Sequence, residues 1–149
     1  MKNQQSGFTL IELVVVIVIL AALAAIALPR YINLGDDARV ASVNGVAGGL
    51  RAAVVVVQAQ YMVTGNAAAV SVTMLDGTVV AVAPVTGIPT GAAGGIGNAL
   101  QAGNNAQPVD GYTTTYGATS TFRPTPPNLA ACQVSYVAAT GAVTTALAC

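Results

Sequence analysis

Few side chains in this sequence can do chemistry, and their placement narrows what that chemistry is. Of 149 residues none is histidine, and five Lys plus Arg balance five Asp plus Glu to a formal net charge of zero. No acidic pair and no nucleophile beside a base is spaced for catalysis, so the sequence reads as no enzyme and calls for no cofactor. Beyond Leu75 the only carboxylates are Asp76 and Asp110, too few for a calcium loop, and no metal is expected. Zero net charge offers no pull on nucleic acid. What remains is one oddly placed carboxylate and two cysteines. Glu12 is the only charge from Phe8 to Leu28, in a run made almost wholly of Val, Ile, Leu and Ala. A charge inside such a run costs about 2.5–3.5 kcal/mol in a bilayer, which makes Glu12 a functional residue by default.

The run that holds Glu12 is long enough to matter. As a helix, Phe8 to Leu28 measures roughly 31 Å, the thickness of a hydrocarbon core. Ahead of it, Met1 to Gly7 is a short polar leader carrying Lys2. A positive start keeps the leader cytoplasmic and sends the remainder outside. Ordinary signal peptidase cleavage before Leu28, after Ala25-Ile26-Ala27, competes poorly, because the run is too long and contains an acid.

Gly7-Phe8-Thr9-Leu10-Ile11-Glu12 resembles the prepilin cleavage motif of type IV pilins. The resemblance implies that a prepilin peptidase cuts between Gly7 and Phe8 and methylates the new Phe8 amine, and that the apolar helix is kept. It implies that Glu12 serves subunit assembly. The physics agrees: a buried carboxylate needs a cationic partner, and the Phe8 amine of a neighbouring subunit is available.

The remaining chain supplies a globular head. Pro29 should bend the helix without stopping it. Beyond it Val43, Val46, Ala47, Leu50, Val54, Val57 and Tyr61 fall on one helical face. Gly45, Gly48 and Gly49 weaken this stretch by roughly 1 kcal/mol each and call for close packing in return. Gly65 marks the stop, so one helix is predicted from about Phe8 to about Val63. Val70 to Leu75 and Thr78 to Ala83 form a hairpin about Asp76-Gly77. Pairing Leu75 with Thr78 puts Val70, Val72 and Met74 on one face with Val79, Ala81 and Ala83. Pro84 ends the second strand. Val85 to Val109 reads as a surface loop with one helical turn between Gly94 and Leu100. Gly95-Ile96-Gly97 lacks the strand and the further glycine of a nucleotide-binding loop. A short strand is predicted near Ser120 to Arg123, followed by an extended connector through Pro124, Pro126 and Pro127. A last hairpin runs Cys132 to Ala138 and Val143 to Cys149, with Cys132 directly across from Cys149. Outside the cytoplasm a disulfide between them is the default. Of the aromatic side chains, Tyr112, Tyr116 and Tyr136 are candidates to stack on a sugar ring.

Pro29-Arg30-Tyr31 with Asp36-Asp37-Ala38-Arg39 is similar to the post-membrane segment of mannose-sensitive haemagglutinin (MSHA) pilins. The combined expectation is α+β: a type IV pilin fold with a long kinked N-terminal helix on an antiparallel sheet and a disulfide-bounded C-terminal hairpin. Residues 1–7 are the leader, 8–28 the membrane and filament-core helix, and 29–149 the amphipathic helix half with its head. The subunit would wait in the bacterial inner membrane with its C-terminus outside, then form an extracellular pilus for surface attachment. Its partners would be copies of itself, the prepilin peptidase, the pilus assembly platform and ATPase, and a surface or glycan receptor. The alternative is a type II secretion pseudopilin in a short periplasmic fibre.

Overall fold

The computed structural model describes residues 8–100, 109–125 and 129–149, the side chains of 28–33 excepted. Gly7, Pro126, Pro127 and the Pro29 side chain therefore lie outside the described residues. The elements run α1 (Leu10–Thr64), β1 (Ser71–Thr73), β2 (Val79–Ala81), a π-helical turn Ala93–Gly97 leading into α2 (Asn98–Leu100), then β3 (Tyr112–Thr115), β4 (Thr119–Pro124), β5 (Cys132–Val137) and β6 (Ala142–Leu147). The class is α+β, with a long N-terminal helix, antiparallel sheets and a Cys132–Cys149 disulfide. Two compact units divide the chain, Met1–Asp37 and Ala38–Cys149.

Within the second unit α1 buries the face its periodicity marks. Val43, Ala47, Leu50 and Val54 pack with Ile88, Ile96, Phe122, Cys132, Val134 and Tyr136. One turn further, Val57 and Tyr61 pack with Val72, Val80 and Val82. The helix ends at Thr64, just ahead of Gly65. The glycine expectation is only partly met. A β-carbon at Gly49 would touch Leu100 Cδ1 at 3.4 Å, but at Gly45 or Gly48 it would meet nothing within 4 Å. Those two sit on the face of α1 turned away from the core, so this chain alone does not offset their helix cost.

The first hairpin forms with a register one residue away from the expected one. Ser71 pairs with Ala81 and Thr73 with Val79. The turn holds three residues, Leu75-Asp76-Gly77: Met74 N donates to Thr78 O at 2.8 Å and Gly77 N to Met74 O at 3.0 Å. Asp76 Oδ1 accepts from Thr78 N at 2.9 Å, and Gly77 takes φ 83°, a left-handed value that glycine adopts without strain. These hydrogen bonds hold the exposed Asp76 carboxyl below its ordinary range. An odd slip inverts every side chain of one strand. Val72 therefore opposes Val80, and Val80 and Val82 are buried in place of the expected Val79, Ala81 and Ala83. Valine removes more apolar area from water than alanine, which favours this register.

The second sheet has four strands in the order β3-β4-β5-β6. The expected strand near Ser120 is β4, and its partner β3 was not foreseen. The β3 sequence carries no apolar alternation: Tyr112 is followed by Thr113, Thr114 and Thr115, so no period marks it. The last hairpin is also re-registered, with Cys132 opposite Leu147 and Val137 opposite Ala142 around an Ala138–Gly141 loop. A shift of two residues leaves each face unchanged. Cys132, Val134 and Tyr136 stay buried and the disulfide reaches past the strand end to Cys149, at a Cα–Cα distance of 4.7 Å. The middle segment is not a surface loop throughout. Gly95, Ile96 and Gly97 are buried, with Ile96 in the main core. Arg51 on α1 reaches the outermost strand, where Nη2 donates to Val143 O at 3.3 Å.

Closing a loop over a sequence separation of 17 contributes about 3 kcal/mol in the chain-entropy model. Cys132→Ser should lower unfolding stability by about that amount. Urea titration of the full chain in detergent, against the reduced parent, checks it. An unchanged midpoint would show that the bond adds nothing to the native state.

Candidate functional site: the start of the apolar helix

Leu10–Ala27 is an apolar stretch of 18 residues with mean hydropathy 3.1, none of it buried against the chain. Its helical length is about 27 Å, matched to a bilayer core. Leu34–Thr64 also passes by length and composition, but it is the helix that carries the core of the second unit.

Thr9 stands immediately ahead of α1 and Glu12 in its first turn. Thr9 N donates to Glu12 Oε2 at 2.9 Å and Thr9 Oγ1 donates to the same oxygen at 2.6 Å. In return Glu12 N donates to Thr9 Oγ1 at 3.3 Å. This is a capping box, in which Thr and Glu three residues apart satisfy main-chain donors at a helix start. A carboxylate here also meets the positive end of the helix dipole. The sequence reading missed it, although Thr9-Leu10-Ile11-Glu12 has the required spacing. Glu12 Oε1 makes no hydrogen bond among the described residues. Beside it Phe8 is exposed, as are Ile11, Val15 and Val16 around the acid.

The other singled-out residues lie elsewhere. Tyr136 is fully buried and its hydroxyl donates to Pro89 O at 2.5 Å, which removes it from the ring-stacking candidates. Tyr112 Oη shares a hydrogen bond of 2.6 Å with Ser42 Oγ on α1. Tyr116 is half-buried in a shallow depression with Gly91, Gly117 and Ala138. Among the described residues no three His, Cys, Asp or Glu converge as metal ligands.

Burial pushes the Tyr136 phenol up to about 12. An unfolded tyrosine titrates near 10, so the folded state favours the neutral phenol. The resulting stability is intact below about pH 10 and is lost as pH rises toward 12. Burial raises Tyr116 in the same direction. Urea midpoints of the full chain should therefore fall across this window, and Tyr136→Phe should flatten the fall. A Tyr136→Phe profile as steep as the parent's would contradict it.

Residues 2–28 match the family described as the prokaryotic N-terminal methylation motif. The chain is 48% identical over 54 residues to the type IV narrow pilus major component of Thermus thermophilus, 36% of this chain and 47% of that one. It is 46% identical over 54 residues to a type IV major fimbrial protein of Dichelobacter nodosus, covering 35% of the relative. A fimbrial protein of Eikenella corrodens is 36% identical over 97 residues, 60% of this chain and 63% of the relative. This chain is similar to type IV pilins. It spans about half or less of the first two relatives. No solved structure matches it.

Proposed function

We propose that the chain is the structural subunit of an extracellular type IV pilus used in surface attachment, of the mannose-sensitive haemagglutinin class. The observation that carries this reading is the exposed apolar helix Leu10–Ala27 within a methylation motif matched over residues 2–28, with a single acid in its first turn. An 18-residue face without partners in its own chain fits lipid first and neighbouring copies afterwards. In this reading a prepilin peptidase cleaves between Gly7 and Phe8 and methylates Phe8, while the precursor sits in the inner membrane with its head outside. An assembly platform and ATPase then draw subunits into a helical homopolymer through head-to-tail contacts that do not close. Pro29 bends the helix between fibre core and head. Thr9 engages Glu12 Oε2, and Oε1 is left for the Phe8 amine of the next subunit.

Mass spectrometry of fibres sheared from the cell surface tests the whole reading. The expected result is this chain as a main component, beginning at N-methylated Phe8. Recovery of a chain beginning at Leu28, or its absence from surface fibres, would overturn it.

A further inference from the structure

The face of the four-stranded sheet turned away from α1 carries an ordered row of hydroxyls. Thr115 pairs with Thr121, Thr121 with Ser135, and Ser135 with Thr144, so one residue from each strand stands in line. Directly opposed residues share a face, and adjacent strands lie about 4.8 Å apart. The alternate residues Ser120, Phe122, Val134 and Tyr136 are buried, which turns the row to solvent. Among the described residues the hydroxyls of Thr115, Thr121 and Thr144 make no hydrogen bond within the chain.

Beside this row stands a cation with a fixed plane. Arg123 opposes Thr113, and its Nε donates to Gln133 Oε1 at 2.7 Å. Gln133 Nε2 in turn reaches Ser135 Oγ at 3.5 Å, tying the guanidinium to the row. With Nε occupied, the two terminal amino groups remain as an end-on fork, and among the described residues they have no partner. None of the four strands carries an Asp or Glu. A fork of this kind matches a carboxylate, and neutral hydroxyls at strand spacing match the hydroxyls of a sugar chain.

The geometry points to a docking surface for a carboxylate-bearing polysaccharide, its acid on Arg123 and its hydroxyls along Thr121, Ser135 and Thr144. A single cation is too little for nucleic acid, whose binding rests on neutralising many phosphates. The inference goes beyond the filament reading and does not depend on it, since one subunit carries the whole surface.

The test uses the full chain purified in detergent, with binding to polygalacturonate, uncharged dextran and duplex DNA measured in low and high salt. Polygalacturonate alone should bind, and more weakly in high salt. Arg123→Gln should weaken binding roughly tenfold or more, the scale of a charge-assisted hydrogen bond. Thr121→Val with Thr144→Val keeps the shape and strand preference of the face and should weaken it severalfold. An intact Cys132–Cys149 bond and unchanged circular dichroism certify each variant's fold. Absence of binding, equal binding to dextran or DNA, or unchanged affinity in either variant would overturn the inference. Sheared fibres failing to form would leave these measurements unaffected.

Discussion

Glu12→Val should yield subunits that are made, inserted and cleaved but almost never assembled into surface fibres. The wild-type acid costs about 2.5–3.5 kcal/mol in the bilayer, so the substitution favours insertion. It also removes the capping partner of Thr9, worth about 1 kcal/mol at a helix start, which an inserted helix of this length tolerates. Losing one partner of a buried ion pair costs about 3–5 kcal/mol, well over a hundredfold in assembly. Glu12→Gln separates the two roles. Its amide oxygen can still accept from Thr9, but it offers no charge to a Phe8 amine. If charge drives assembly, both variants lose fibres equally by electron microscopy and shear yield, while membrane fractions hold cleaved subunit. Normal fibres from Glu12→Gln would reduce Glu12 to a cap. Uncleaved precursor would assign it to peptidase recognition.

A large loss of head stability should come from Gly91→Ala. A β-carbon at Gly91 would sit 1.8 Å from Gly117 O and 3.2 Å from the Ala138 β-carbon. The nearest atom is main chain, so turning a side chain cannot relieve the clash and the backbone must shift. Gly117 N donates to Gly91 O at 2.8 Å, and Ser120 Oγ, fully buried, donates to the same oxygen at 3.0 Å. The new methyl therefore forces apart the contact that joins the middle segment to β4. Overpacking of this kind costs about 3 kcal/mol. That is a large part of the stability of a small domain. Gly94→Ala is the matched control, since a β-carbon there meets nothing within 4 Å, and it should stay within about 0.5 kcal/mol. Urea titration of both variants checks the pair, and equal midpoints would refute the clash.

The legible parts of the fold were those where one apolar period runs for several turns. Val43, Val46, Ala47, Leu50, Val54, Val57 and Tyr61 marked one face of α1, and the structure buries all of them except Val46, which is half-buried at its margin. Registers were less legible, because they depend on how many residues a turn consumes. Asp76-Gly77 signals a hairpin equally well as a two-residue or a three-residue turn. Only the competition between Val80 and Ala81 for the core decides it. The cysteine hairpin survived a misplaced register because its error was even. β3 had no apolar period to find, and Ile96 lies among glycines that read as loop. At the candidate site Glu12 is conspicuous for the cost of its charge, whereas its bond to Thr9 is a local capping feature that this cost does not reveal.

β6 ends its sheet, and its six residues contain neither a charge nor a proline. Strand rims of this composition are templates for cross-β stacking, and sheets usually guard them with residues of the strand itself. Here the guard is borrowed: Arg51 of α1 occupies the main-chain acceptor at Val143. The strand keeps a composition suited to packing, and its protection depends on the helix being docked. Partial opening that lifts α1 exposes a sticky rim and an apolar helix face together. Variants that loosen α1 should therefore aggregate sooner than the parent when the head is partly opened.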